Sequence, residues 1–198
     1  MKKGNVLLVA IVFLGLCACK EKEKANVEDT PEGYFPVLAF INSQVAHVDT
    51  SLYSIMKITY RDSVTSDTEF VKREQFRELA KDFLELPDIS DKKVGARFTQ
   101  EKMYDEMLKR VILNYIPKDN SKEELQKMQV LITPNSALGD QINSIIIEKI
   151  VSDRNGYLQK NLLWQADKSF QVITLTRKPG ESEKTVTTKV SWNEQIEQ

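Results

Sequence analysis

A single histidine and two cysteines are all that the 198 residues offer to imidazole and thiol chemistry. His47 sits between Ala46 and Val48 in a stretch with helical spacing, and no serine and acid are spaced around it as a Ser-His-Asp system requires. It is expected to be a partly buried or surface histidine. Both cysteines, Cys17 and Cys19, fall within the first twenty residues. From Lys20 onward there is no thiol nucleophile, no disulfide and no thiolate for zinc. Carboxylates are abundant, so paired acids are the one hydrolytic chemistry that composition leaves open. Glu74, Glu78 and Glu85 nevertheless fall on the polar face of an amphipathic stretch, where solvation is their ordinary role. Trp164, Trp192, Tyr157 and Phe170 could line a sugar or lipid pocket, but strand aromatics usually serve the core. No glycine-rich phosphate loop of the GxGxxG or GxxxxGK type occurs. Asp153-Arg154-Asn155-Gly156 lacks the further acids and closing glutamate of a calcium loop and reads as a turn. The expectation is no catalytic residue, no metal and no cofactor.

The elements that would position these residues are legible from periodicity. Val37, Leu38, Ile41, Val45 and Val48 recur at spacings of three and four after Pro36, which predicts a helix at about 36 to 48. Residues 52 to 60, LYSIMKITY, read as a strand, and a short extended piece follows near 68 to 71. Phe76, Leu79, Ala80, Phe83 and Leu86 form one apolar stripe in KREQFRELAKDFLEL, a second helix ended by Pro87 and expected to pack on a sheet. A polar connector spans 87 to 97.

Six strands are expected after it, at 109 to 117, 128 to 134, 142 to 151, 156 to 166, 169 to 177 and 184 to 192. The last two alternate cleanly around Lys178-Pro179-Gly180 and predict a hairpin with Phe170, Val172, Val190 and Trp192 on its buried face. Two earlier segments are ambiguous. Ser121 followed by Glu124 resembles a helix capping box, and Ile142, Ile145, Ile146 and Ile150 also fit helical spacing. The density of β-branched residues, with breaks at Pro134 and Asn155-Gly156, favours strands.

The N-terminus carries a different kind of information. Met1-Lys2-Lys3 precedes an apolar run from Val6 to Ala18, shorter than the ~20 residues that a bilayer span needs. A basic start, a short apolar core and a small-residue exit describe a secretory signal peptide. Leu16-Cys17-Ala18-Cys19 resembles the lipobox of bacterial lipoproteins, with an aliphatic residue three places before a cysteine and a small residue directly before it. The resemblance implies acylation of Cys19 and cleavage before it. The alternative frame, Leu14-Gly15-Leu16-Cys17, puts bulky Leu16 where a small residue belongs. In Gram-negative lipoproteins an aspartate after the lipidated cysteine commonly signals inner-membrane retention; Lys20 stands there, so the resemblance favours the outer membrane. Lys20 to Gly33 is polar and charged, with too little apolar surface to offset ordering, and reads as a solvated tether.

The expected organisation is therefore a signal peptide at 1–18, a lipidated cysteine and tether at 19–33, and a single globular domain at 34–198. The fold class is α+β: a curved antiparallel sheet of about six to eight strands, a meander able to curl into a half-barrel, packed against two helices from the N-terminal half. With 28 basic and 29 acidic residues and no basic stripe, nucleic acid has little support as a partner. The expected function is a non-enzymatic, lipid-anchored envelope module that binds an apolar ligand or an envelope protein. A concave apolar cavity without converging acids would mark it; the alternatives are a carboxylate-dependent hydrolase of envelope polymers, marked by two acids facing each other across a cleft, and a structural or assembly subunit, marked by a tightly packed sheet with no cavity and an exposed apolar patch.

Overall fold

A helix whose apolar side chains recur at four, four and three residues can bury one stripe, and α1 (Val37–Thr50) buries Val37, Ile41, Val45 and Val48. This helix belongs to a computed structural model that describes residues 33–61, 66–135, 137, 139–154 and 156–193. The signal-peptide, Cys19 and tether assignments lie outside those residues. Pro36 caps α1 rather than entering it, and the helix runs two residues past the expected end. Its last carbonyls, which have no partner within the helix, accept from side chains instead: Ser51 Oγ donates to Val48 O (2.9 Å) and Thr50 Oγ1 to Ala46 O (3.2 Å).

Nine strands follow: β1 (Ile55–Tyr60), β2 (Ser66–Val71), β3 (Phe98–Asp105), β4 (Arg110–Pro117), β5 (Leu125–Thr133), β6 (Gln141–Asp153), β7 (Gly156–Gln165), β8 (Ser169–Arg177) and β9 (Lys184–Ser191). They form one antiparallel sheet in the order β2-β1-β9-β8-β7-β6-β5-β4-β3. The sheet is open and curved, in an α+β fold. β3 to β9 are a meander, and the β1–β2 hairpin joins at its far edge by pairing β1 with β9. Both segments that also fitted helical spacing are strands, as their β-branched density favours. β3 has no counterpart among the expected strands. Its eight residues, FTQEKMYD, are mostly exposed, because it is an edge strand and little of it needs to be apolar. Charge on both edges, Asp67 and Glu69 on β2, Glu101 and Lys102 on β3, discourages pairing with another chain.

The second expected helix is broken into a 3-10 turn (Arg73–Gln75), α2 (Phe76–Leu79) and α3 (Lys81–Leu84), joined at Ala80 with φ −85° and ψ 1°. The buried face is the expected one: Phe76, Ala80, Phe83 and Leu86 are buried and Leu79 partly so. An apolar residue every three or four positions specifies that face equally well for one helix or for two short ones. A further short helix, α4 (Lys92–Gly95), interrupts the polar connector. There Gly95 packs so closely that a Cβ would lie 2.5 Å from both Ile89 O and the Tyr34 ring. Arg73 ties the two helical segments together, donating to Val48 O, Ser51 Oγ and Tyr53 O.

Directly paired residues on adjacent strands share a face. Leu113, Val130, Ile145, Trp164, Phe170 and Val190 are successive partners across β4 to β9 and all point toward the helices. Most of them are buried, with Phe76, Phe83 and the helix stripe above them. The sheet's other face has no helix on it among the described residues, and mixes aliphatic with polar side chains, as in the row Gln129, Ile146, Leu163, Gln171 and Lys189.

Candidate functional site

The expected site residues divide sharply. Trp164, Trp192 and Phe170 are core: Phe76 lies 5.2 Å from Trp192 and 5.8 Å from Phe170, and Phe83 lies 5.1 Å from Trp164, ring centre to ring centre. Edge-on and tilted rings at such distances are favourable pairs. This cluster fills the space between sheet and helices where an apolar ligand would have to sit. Trp164 Nε1 is buried without a hydrogen-bond partner. Tyr157 is separate, with its hydroxyl donating to Gln159 Oε1 (2.9 Å) and Arg177 over its ring.

His47 is exposed on α1, edge-on to Tyr53 at 6.0 Å. Glu74, Glu78 and Glu85 are exposed, the latter two flanking Lys81 at 3.9 Å each. Asp153 closes the β6–β7 turn by accepting the Gly156 N–H (3.2 Å). Among the described residues no group of three or more His, Cys, Asp or Glu could hold a metal ion. No helix among them is long and apolar enough to cross a membrane.

Two features that periodicity did not announce meet at one end of the sheet. The first is a cleft of about 580 Å³ where the β7–β8 turn approaches β4, β6 and α1, lined by Phe40, Arg110, Asn143, Gln165, Asp167 and Lys168 among others. The turn is fixed from two sides. Asp167 N–H donates to Gln44 Oε1 of α1 (2.7 Å), and Ala166 N–H donates to Asn143 O of β6 (3.0 Å). Among the described residues Asp167 is the cleft's only carboxylate, so no pair of acids among them converges there.

The second feature is the β3–β4 tip, beside Arg110. Met107 is 95% exposed, Leu108 53%, and Met103 and Tyr104 57% each. Asp105 Oδ1 accepts the Leu108 N–H (2.9 Å), and Lys109 adopts φ 51°, in the region that non-glycine residues rarely visit. The backbone is thus held while its apolar side chains stand in water. The turn acid after MY in MYDEML was the only cue in the sequence; the tip becomes visible once β3 is known to be a strand.

At the other end of β3 the domain's first residues are anchored. Tyr34 Oη donates to Phe98 O (2.8 Å), and Phe35 N–H donates to the Tyr115 hydroxyl (3.0 Å). Burial raises the Tyr115 phenol above its ordinary range.

The chain matches no family model, no curated protein and no solved structure.

Proposed function

We propose that the protein is a lipid-anchored module of the cell envelope, held at the outer membrane by acyl groups on Cys19, which acts by binding an envelope protein rather than by catalysis. The observation that carries the partner is the β3–β4 tip: four apolar side chains exposed, Met103 and Tyr104 at the end of β3 and Met107 and Leu108 in a turn whose backbone is constrained, while the interior that could have held an apolar ligand is occupied by aromatic rings. Methionine, tyrosine and arginine are enriched where proteins meet, and rigid presentation lowers the entropy lost on docking. The lipobox resemblance supports the anchor. Tyr34 lies at the Phe98 end of β3, the end away from the tip.

Two experiments test the reading. With Cys19→Ala, detergent phase partitioning should move the protein to the aqueous phase, and retention in the detergent phase would reject the anchor. A photo-cross-linking residue at position 107, in cells that make the protein, should give one discrete envelope adduct that the same residue at exposed position 154 does not. Equal adducts from both positions would reject the partner site.

A further inference from the structure

We infer that the cleft beside the tip is an oxyanion site, taking a carboxylate or phosphate group carried on a small molecule or a lipid headgroup. It is independent of the anchor and of the partner surface. Among the described residues two arginines are half-buried, Arg73 and Arg110. Arg73 donates to three acceptors, whereas Arg110 has no partner among the described residues, although a half-buried guanidinium carries five donors. Lys168, across the cleft, is likewise without a partner among them.

The neutral groups point to the same ligand. Asn143 Oδ1 accepts from Thr133 Oγ1 (2.5 Å), and Gln165 Oε1 accepts from Ser169 Oγ (2.7 Å). Their carbonyl ends are used, which leaves the NH₂ ends as the free groups. The lining is therefore rich in donors, and its charged residues, Arg110, Lys168 and Asp167, sum to +1 in a chain whose formal net charge is −1. An acceptor-rich anion satisfies such a set, and a planar guanidinium binds carboxylate and phosphate in two-pronged fashion. Phe40 and Ile142 add an apolar wall for the body of the ligand.

The backbone supplies an independent sign. Only two non-glycine residues among those described adopt positive φ, Lys109 (51°) and Asp167 (58°). Each immediately precedes one of the cleft's cations, Arg110 and Lys168. Left-handed residues at these turns set the direction in which the next side chain leaves, and such conformations concentrate at binding sites.

The test is calorimetric titration of the full chain in non-ionic detergent with phenyl phosphate and, separately, with dioctanoyl phosphatidic acid; phenol and dioctanoylglycerol are the uncharged counterparts. Saturable binding of an anion, without binding of its counterpart, is expected with a dissociation constant of about 1 mM or tighter at low salt. Arg110→Gln should weaken it by about tenfold or more and Lys168→Gln by about threefold, with Arg154→Gln without effect. Binding of phosphatidic acid alone assigns the site to a lipid headgroup, and binding of phenyl phosphate as well assigns it to small oxyanions. Unchanged thermal melting of the Lys168→Gln protein, whose side chain is exposed, separates lost binding from lost folding. The inference is overturned if neither anion binds at about 10 mM, or if both cleft variants bind within about twofold of the parent.

Discussion

The β8–β9 hairpin and the β3–β4 hairpin are made by the same antiparallel pairing, yet they treat their large apolar residues in opposite ways. β8 and β9 place Phe170, Val172 and Val190 on the helix-covered face, and Trp192, just past β9, closes the cluster against Phe76. β3 and β4 bury Phe98 and Tyr115 at one end of the pair and expose Met103, Tyr104, Met107 and Leu108 at the other. The first hairpin spends its apolar surface on stability. The second leaves part of it in water, on a turn that Asp105 holds through the Leu108 N–H, and the proposed partner surface rests on that exposure.

The largest effect expected from this contrast is at Trp192. Trp192→Ala should cost about 3–5 kcal/mol, the usual range for truncating a large buried aromatic. Thr187→Ala, half-buried on the other face of β9, should cost under about a third of that. Denaturant melts of the two variants decide it, and comparable losses would break the assignment of faces.

Within the second hairpin the buried end should behave like the first. Tyr115→Phe keeps the ring but leaves the Phe35 N–H without its acceptor, at a cost of about 1 kcal/mol by the same melts. The same phenol has a pH signature. Its pKa in the folded protein lies above the ordinary value of 10.0, so folding holds the proton more tightly. The contribution of this phenol should be level below pH 10.0 and fall as pH rises from there toward the folded value, and Tyr115→Phe should remove that part of the fall.

The exposed end should be silent in the melts. Met107→Ser combined with Leu108→Ser should change stability by less than about 0.5 kcal/mol, while abolishing the position-specific envelope adduct read from a cross-linker placed at exposed Met103. A loss above about 2 kcal/mol would mean that the tip packs on the domain and that the contrast between the hairpins is false.

The smallest effect lies in the turn after β4. Asp119 is fully exposed, and hydrogen bonds from Lys122 and Ser121 hold its carboxyl at about 2. Its contribution is present above the ordinary value of 3.8 and is lost as pH falls through about 2. A slight extra destabilisation of the wild type over Asp119→Asn in that window, seen in acid melts, is the expected result.

Legibility followed burial. Wherever a segment had to pack one face, its apolar spacing showed: α1, the stripe at Phe76 to Leu86, and the six strands from β4 to β9 were all readable. β3 was not, because an edge strand with most of its side chains in water has no reason to alternate. The break at Ala80 was not readable either, since the stripe has the same spacing in a continuous helix and in two short ones. The cleft was invisible for a further reason. Arg110, Asn143, Gln165 and Lys168 come from three strands and a turn, and each is unremarkable in its own neighbourhood.

The sequence by itself determined the α+β class, the C-terminal hairpin and its buried face, and the confinement of both cysteines to the first nineteen residues. These follow from local rules, the period of apolar residues and simple composition. Only the tertiary structure decided that β1 pairs with β9, that Trp164, Phe170 and Trp192 meet Phe76 and Phe83 in one aromatic cluster, and that two cations preceded by left-handed residues face one cleft. Those are matters of contact between residues far apart in the chain, and local spacing carries no record of which distant partner a residue will meet.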